Sequence, residues 1–212
     1  MRIILLGVPG AGKGTQAEII SKRLSIPTIS TGNVLRAAIK AETPLGLEVK
    51  DLLARGELVS DEIILEIMRD RVAEADCRNG YILDGVPRTV AQAEGLEDLG
   101  VEIDVCLLLE VPDDVVIDRL SGRRACPNCG NTFHVTANPP EQADVCDHCD
   151  TGLIIRPDDE ASTVERRLAV FREQTAPLID FYQTRGKLKT VSNLGSVEEV
   201  SRAVFAAIGV ES

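Results

Sequence analysis

Four cysteines stand in two close pairs, Cys126-x-x-Cys129 and Cys146-x-x-Cys149, with sixteen residues between the pairs. That is the ligand spacing of a four-cysteine zinc ribbon. Four thiolates fill a tetrahedral ion and leave no position open for chemistry, so the expected zinc is structural, with His134 and His148 as spare ligands. A segment this short buries too little to order itself, and a bound ion would let it move as a rigid flap.

A second constellation lies at the start of the chain. GVPGAGKGT, residues 7–15, follows a short apolar run and leads into the helical pattern QAEIISKRL. Strand, glycine loop and helix in that order form a phosphate-binding loop: backbone N–H groups turn inward, the helix N-terminus adds positive potential, and Lys13 supplies a full charge. The strict pattern places Ser or Thr directly after the lysine. Here Gly14 holds that place and the hydroxyl comes one residue later, at Thr15.

YILDGVPRT, residues 81–89, ends an apolar run on Asp84, the position at which a strand-tip carboxylate holds magnesium or its water shell, and Arg88 follows. Arg36, Arg119, Arg123, Arg156 and Arg167 complete a scattered arginine set in an otherwise acidic chain. Arg123 and Arg156 bracket the cysteine segment, so a closing flap would carry guanidinium groups onto phosphates. Phosphoryl transfer needs in-line alignment and neutralised charge more than covalent help. A phosphate acceptor is already an anionic nucleophile. The two histidines both lie in the cysteine segment, and no general base stands out.

These residues need a frame. The runs 2–6, 81–84, 105–109 and 188–191 are too short for helices and mostly too apolar for strands with one wet face, so they read as buried parallel strands. Helical spacing between them, as in Ile63, Ile67 and Val72 or Val164, Leu168, Phe171 and Leu178, supplies the crossovers. The pattern is α/β and doubly wound. Residues 30–59 and 122–158 interrupt it as two insertions on one rim.

The 212 residues and 44% hydrophobic content suit one main domain. A formal charge of -11 argues against a general nucleic-acid or anionic-membrane surface. No apolar run is long enough to span a bilayer, and the first residues lack a signal-peptide pattern, so a cytoplasmic protein is expected. Cys106 reads as a core residue, and Cys77 has no evident partner.

The phosphate loop, STGNVLR, LDGVPRT, the cysteine insertion, RPDD and FREQTAPLIDFY follow one another in an order that resembles the long-form bacterial adenylate kinases with a zinc-binding lid, over essentially the whole chain. The resemblance implies a five-stranded parallel core (1–29, 60–121 and 159–212), an AMP-binding insertion (30–59) and a zinc lid (122–158). It implies transfer from MgATP to AMP giving two ADP, by a monomer without nucleic-acid or membrane partners. Gly10, Ala11, Gly12, Lys13, Gly14, Thr15, Arg119, Arg123, Thr132, Phe133 and Gly195 would hold ATP. The AMP site would comprise Thr31, Arg36, Glu57, Leu58, Val59, Gly85, Val86, Pro87, Arg88, Gln92, Arg156 and Arg167. Lys13, Asp84, Arg88, Arg123, Arg156, Asp158 and Arg167 would serve the transfer itself. The chain departs from the family pattern at Asn33-Val34, where Asp-Met is usual, at Val86 for Phe, and at Gly195, where Lys is frequent. Two other readings stay open: a kinase for CMP, UMP or GMP, and a zinc-ribbon nucleic-acid module. Glu141, Asp144, Asp147 and Asp150 in the cysteine segment oppose the second.

Overall fold

The structure is a computed structural model and describes residues 1–210, apart from the Ala161 side chain. Among the described residues, five parallel strands, β1 Arg2–Leu6, β2 Thr28–Ser30, β3 Tyr81–Asp84, β4 Val105–Glu110 and β7 Leu188–Ser192, form one sheet in the order β2-β3-β1-β4-β7. Strand alternation sends Ile3, Leu5, Ile82, Leu107 and Leu109 to one face and Ile4, Leu6, Leu83, Cys106 and Leu108 to the other. Both faces are dry, which is why these runs carry no polar alternation. Each fully buried Ile or Leu contributes about 2 kcal/mol of transfer free energy to the fold.

Helices α1 (Lys13–Leu24) and α9 (Val197–Ala207) cover the first face with Ala17, Ile20, Val200, Val204 and Phe205. The second face takes α4 (Asp61–Val72), α5 (Val90–Asp98) and α8 (Pro177–Thr184), through Ile64, Met68, Ala93, Leu96, Leu178 and Phe181. Local signals set the helix starts. Ser196 and Glu199 close a capping box on α9, and the Thr89 hydroxyl accepts the Gln92 N–H at the start of α5.

Three expectations need correction. β2 is missing from the apolar runs because its three residues, TIS, follow Pro27 and pass directly into α2 (Thr31–Lys40). β7 is an edge strand, not a buried one: only Val191 is buried, while Lys189 and Thr190 face solvent. Cys77 does have a partner, for its buried thiol lies 3.0 Å from Arg71 Nη1 and 3.4 Å from the Arg71 carbonyl.

Two excursions leave the sheet. Residues between β2 and α4 form α2 and α3 (Pro44–Ala54), the latter started by Thr43, whose hydroxyl accepts the Gly46 N–H. After α6 (Asp113–Ser121) the chain makes a two-stranded antiparallel hairpin, β5 (Arg123–Ala125) and β6 (Thr132–His134), and the second cysteine knuckle before returning to α7 (Ala161–Val170). A π turn over Phe171–Thr175 joins α7 to α8. It shifts the helical register, so Val164 and Leu168 pack on Val116 and Leu120 of α6 whereas Leu178 enters the sheet core. Among the described residues, no helix is long and apolar enough to cross a membrane.

Candidate active site

The phosphate loop turns over the carboxyl end of β1. Gly7 passes so close to β4 that a Cβ there would sit 2.7 Å from the Leu109 carbonyl, and Gly12 adopts a left-handed φ of 78° as it starts α1. Gly14 lies inside the first helical turn with open space beside it, so its place in the loop has no conformational cause. Lys13 folds back to donate to the carbonyls of Gly7 (2.7 Å) and Val8 (2.9 Å). Burial pulls its ammonium down to about 8; Asp84 opposes the shift, while Arg88, Arg167 and Arg123 add to it.

Asn193, a buried residue just beyond β7, ties the loop down. Its Nδ2 donates to the Ala11 carbonyl at 2.6 Å, its carbonyl accepts from Arg119 Nη2 at 2.8 Å, and its amide group packs against Gly12. The loop and Arg119 are thereby tied to one residue, with Gly195 two positions further along the chain. Sequence reasoning passed over Asn193 because a single asparagine after a strand reads as a turn residue.

On the other side of Lys13, a cavity of about 310 Å³ opens between α2, α3, α4 and β3. Its far end is apolar, with Leu35, Leu53, Leu58, Val59 and Ile64; Arg36, Arg88 and Arg167 line the end nearer the loop. Thr31 Oγ1 donates to the Gly85 carbonyl at 3.0 Å, Arg88 Nε to the same carbonyl at 2.8 Å, and Arg36 Nη2 to Asn33 Oδ1 at 2.6 Å. Thr31, Arg36, Glu57, Leu58, Val59, Gly85, Arg88, Gln92 and Arg167 all border this cavity. The Glu57 carboxylate turns out to Arg55 and Arg166. Val86 and Pro87 are buried, and the Val86 side chain belongs to the sheet core.

The remaining arginines converge between loop and cavity. The Asp159 carboxylate has no exposed surface and accepts from Arg123 Nε at 2.7 Å, from Arg123 Nη2, and from Arg167 Nη1 at 3.2 Å. Arg167 also reaches Asp158 Oδ2 at 3.0 Å. Arg36, Arg88, Arg156 and Arg167 are all held below the ordinary guanidinium range, chiefly because burial strips their hydration. Mutual repulsion adds to it: Arg167 acts on Arg88, and Arg36 and Arg123 act on Arg156. Guanidinium does not deprotonate in proteins, so the shifts record cations that have lost hydration, which phosphate oxygens would replace.

The hairpin segment carries the four cysteines, whose sulfurs lie within 4.8 Å of one another, with Cys126 and Cys149 3.4 Å apart and Cys129 and Cys146 3.5 Å apart. Zinc–sulfur bonds of about 2.3 Å set tetrahedral sulfur–sulfur edges of about 3.8 Å, so the cluster fits a zinc ion. His134 and His148 stand outside it: His134 Nδ1 accepts from the Thr136 and Ala137 N–H groups, and His148 lies against Phe133. The Phe133 side chain is buried with Cys126 and Cys146, so only its backbone, beside Thr132, is left to meet a nucleotide. The knuckle tip touches α2, where Lys40 Nζ donates to the Pro127 carbonyl at 3.2 Å and Gly130 packs on Asn33.

A phosphate loop and an arginine-lined cavity over the carboxyl edge of a β2-β3-β1-β4-β7 sheet define a P-loop nucleoside monophosphate kinase. The family model described as adenylate kinase matches residues 5–187. Adenylate kinase of Caldicellulosiruptor bescii is 51% identical over all of both chains. That of Ruminiclostridium cellulolyticum is 50% identical over 99% of this chain and all of its own, and that of Clostridium kluyveri 48% identical over 99% and 98%. The chain belongs to the adenylate kinase family and is a phosphotransferase.

Proposed function

We propose that the protein transfers the terminal phosphoryl group of MgATP to AMP, giving two ADP, and runs reversibly. One observation carries this reading. Lys13 of the phosphate loop lies within the electrostatic reach of Asp84, Arg88, Arg167 and Arg123, so donor loop and acceptor cavity share one cationic centre. Two anionic substrates brought to that centre would meet head to head, and charge moving between them would be met by donors already in place.

Residues 10–15, Arg119, Arg123, Thr132, Phe133 through its backbone, and Gly195 would take ATP. In the acceptor cavity, Arg36, Arg88 and Arg167 would grip the AMP phosphate, with the base in the apolar end beside Gln92; Arg156 does not line the cavity and would reach the phosphate from beside Arg36 and Arg123. When bound with ATP, magnesium supplies charge neutralisation across the phosphates, and Asp84 at the tip of β3 would hold its water shell. Gly14 directly after the lysine offers no hydroxyl, so the water shell on Asp84 would be the main protein contact to the ion. Asp158 keeps Arg167 aimed between the substrates. Residues 30–59 would form the AMP-binding insertion and 122–158 the lid. Zinc on Cys126, Cys129, Cys146 and Cys149 would be structural, since it leaves no open coordination position.

The test is ADP formation from MgATP with AMP, CMP, UMP or GMP as acceptor. Rapid turnover with AMP alone is the expected result. Activity confined to another nucleotide would keep the fold and overturn the acceptor, and silence with all four would overturn the reading.

A further inference from the structure

Gln92 is the buried amide at the apolar end of the acceptor cavity. Both of its polar atoms are already held by the protein. Oε1 accepts the Arg88 backbone N–H at 2.7 Å, and Nε2 donates to Asp61 Oδ1 at 2.8 Å. Asp61 opens α4, thirty-one positions earlier in the chain, and the same oxygen accepts the Thr89 hydroxyl at 3.1 Å.

The chemistry of these neighbours dictates which way the amide points. A backbone N–H can only donate, and a carboxylate can only accept. Turning the Gln92 amide over would set NH2 against N–H and oxygen against carboxylate, losing two buried hydrogen bonds and replacing each with a repulsion. The orientation is therefore locked from both sides. One lone pair on Oε1 and one hydrogen on Nε2 are left over for a ligand.

A free amide suits more than one base. Adenine presents an amino donor at C6 next to an acceptor at N1; the 6-oxo purines present an acceptor at C6 next to an N1–H donor. A freely turning amide could pair with either edge by flipping, whereas a locked one pairs with a single order of donor and acceptor. A mismatched base would leave buried polar groups opposed to their own kind, the situation in which hydrogen-bonding sites discriminate most strongly.

We propose that Asp61 is a positioning residue for base selection: by fixing the Gln92 amide it makes the acceptor site accept a 6-amino purine and reject a 6-oxo purine. This rests on the reading of the cavity as the AMP site. Asp61 does not line that cavity and acts through Gln92.

The test compares AMP with IMP, which differ only at the C6 and N1 edge. Initial rates with MgATP are measured for the native protein, Asp61→Asn and Asp61→Ala, with thermal unfolding recorded for each. The native protein should prefer AMP strongly. Asp61→Asn can donate as well as accept, so it should lower the AMP-over-IMP ratio of kcat/KM at least tenfold. The loss should fall on the acceptor KM, with kcat for AMP within about threefold and the KM for ATP unmoved. Should Asp61→Asn fail to fold, Asp61→Ala, which opens room for a water, carries the same comparison. A variant that loses rate equally with AMP and IMP, or a native protein indifferent between them, overturns the proposal. A native protein inactive with AMP overturns the underlying functional reading instead.

Discussion

Asp159 and Arg123 form a two-point ion pair at the start of β5, with the carboxylate fully enclosed and its second oxygen shared with Arg167 of α7. One buried anion thus sets the spacing of two arginines that arrive from different elements, β5 and α7. Removing it strips the buried Arg123 guanidinium of its carboxylate and leaves Arg167 with Asp158 alone, and breaking a buried pair in this way costs about 3–5 kcal/mol in comparable sites. Asp159→Ala should lower stability by an amount in that range and reduce kcat about a hundredfold or more, while Asp159→Asn, which still accepts from one guanidinium, should fall between. Chemical denaturation and steady-state rates check both. An Asp159→Ala protein with native stability and native kcat would rule out the clamp.

Lys13 gives a pH dependence with a definite sign. Its folded pKa, about 8, lies below its ordinary value of 10.5, so between those values the unfolded chain binds more protons than the folded one. The Lys13 contribution to stability therefore rises with pH across that window and is flat below it. Phosphate oxygens favour the ammonium form, so ATP binding above pH 8 should take up on the order of half a proton or more, and affinity should weaken as pH climbs. Titration calorimetry at pH 8.5 in two buffers of different ionisation heat measures the uptake, and Lys13→Ala should abolish it. No uptake in the native protein would mean that the ammonium is already secured before the nucleotide arrives.

Much of this architecture could be read from residue order alone, for physical reasons that differ by element. β1, β3 and β4 announced themselves because strands buried on both faces need unbroken apolar runs. β2 did not, since three residues bounded by a proline and a helix start carry no period. β7 was misjudged because an edge strand buries only Val191, and the π turn after α7 hid a change of helical face inside what looked like one continuous pattern. The site divides in the same way. Lys13, the cysteines and the arginines have side chains whose chemistry is conspicuous at any position. Asn193, Asp61 and Asp159 act by holding other groups, and their partners lie 182, 31 and 36 positions away. Only the fold brings such pairs into view.

Asn193 tests that distinction on the ATP side. Its side chain holds the Ala11 carbonyl and its backbone holds Arg119, so Asn193→Ala should release the loop while leaving the acceptor cavity as it was. The expected result is a KM for ATP raised roughly tenfold with the KM for AMP unchanged, consistent with about 1–2 kcal/mol from one buried hydrogen bond. Asn193→Asp should be worse, because a carboxylate facing the Ala11 carbonyl repels it. Equal changes in both KM values would show that the loop is held from elsewhere.

The cysteine-bearing segment has almost no core of its own. Phe133 is its one large buried side chain, packed on Cys126 and Cys146 with Leu153 at the margin, and burial of one phenylalanine is worth only about 2–3 kcal/mol. That cannot order a segment of this length against its chain entropy, whereas zinc on four thiolates contributes on the order of 10 kcal/mol of apparent binding free energy. The purified protein should therefore hold zinc at one ion per chain. Cys129→Ser, or extraction by a chelator, should lower the Tm by about 5 °C or more and raise the KM for ATP. The contacts from the knuckle to Lys40 and Asn33 give the acceptor side a share in the loss, because a slack knuckle no longer braces α2. The phosphate loop and Arg88 and Arg167 sit outside the knuckle, so slow transfer should survive. A metal-free protein, made with zinc in ample supply, that keeps both its Tm and its KM for ATP would show that the hairpin orders itself by some means other than the four thiolates.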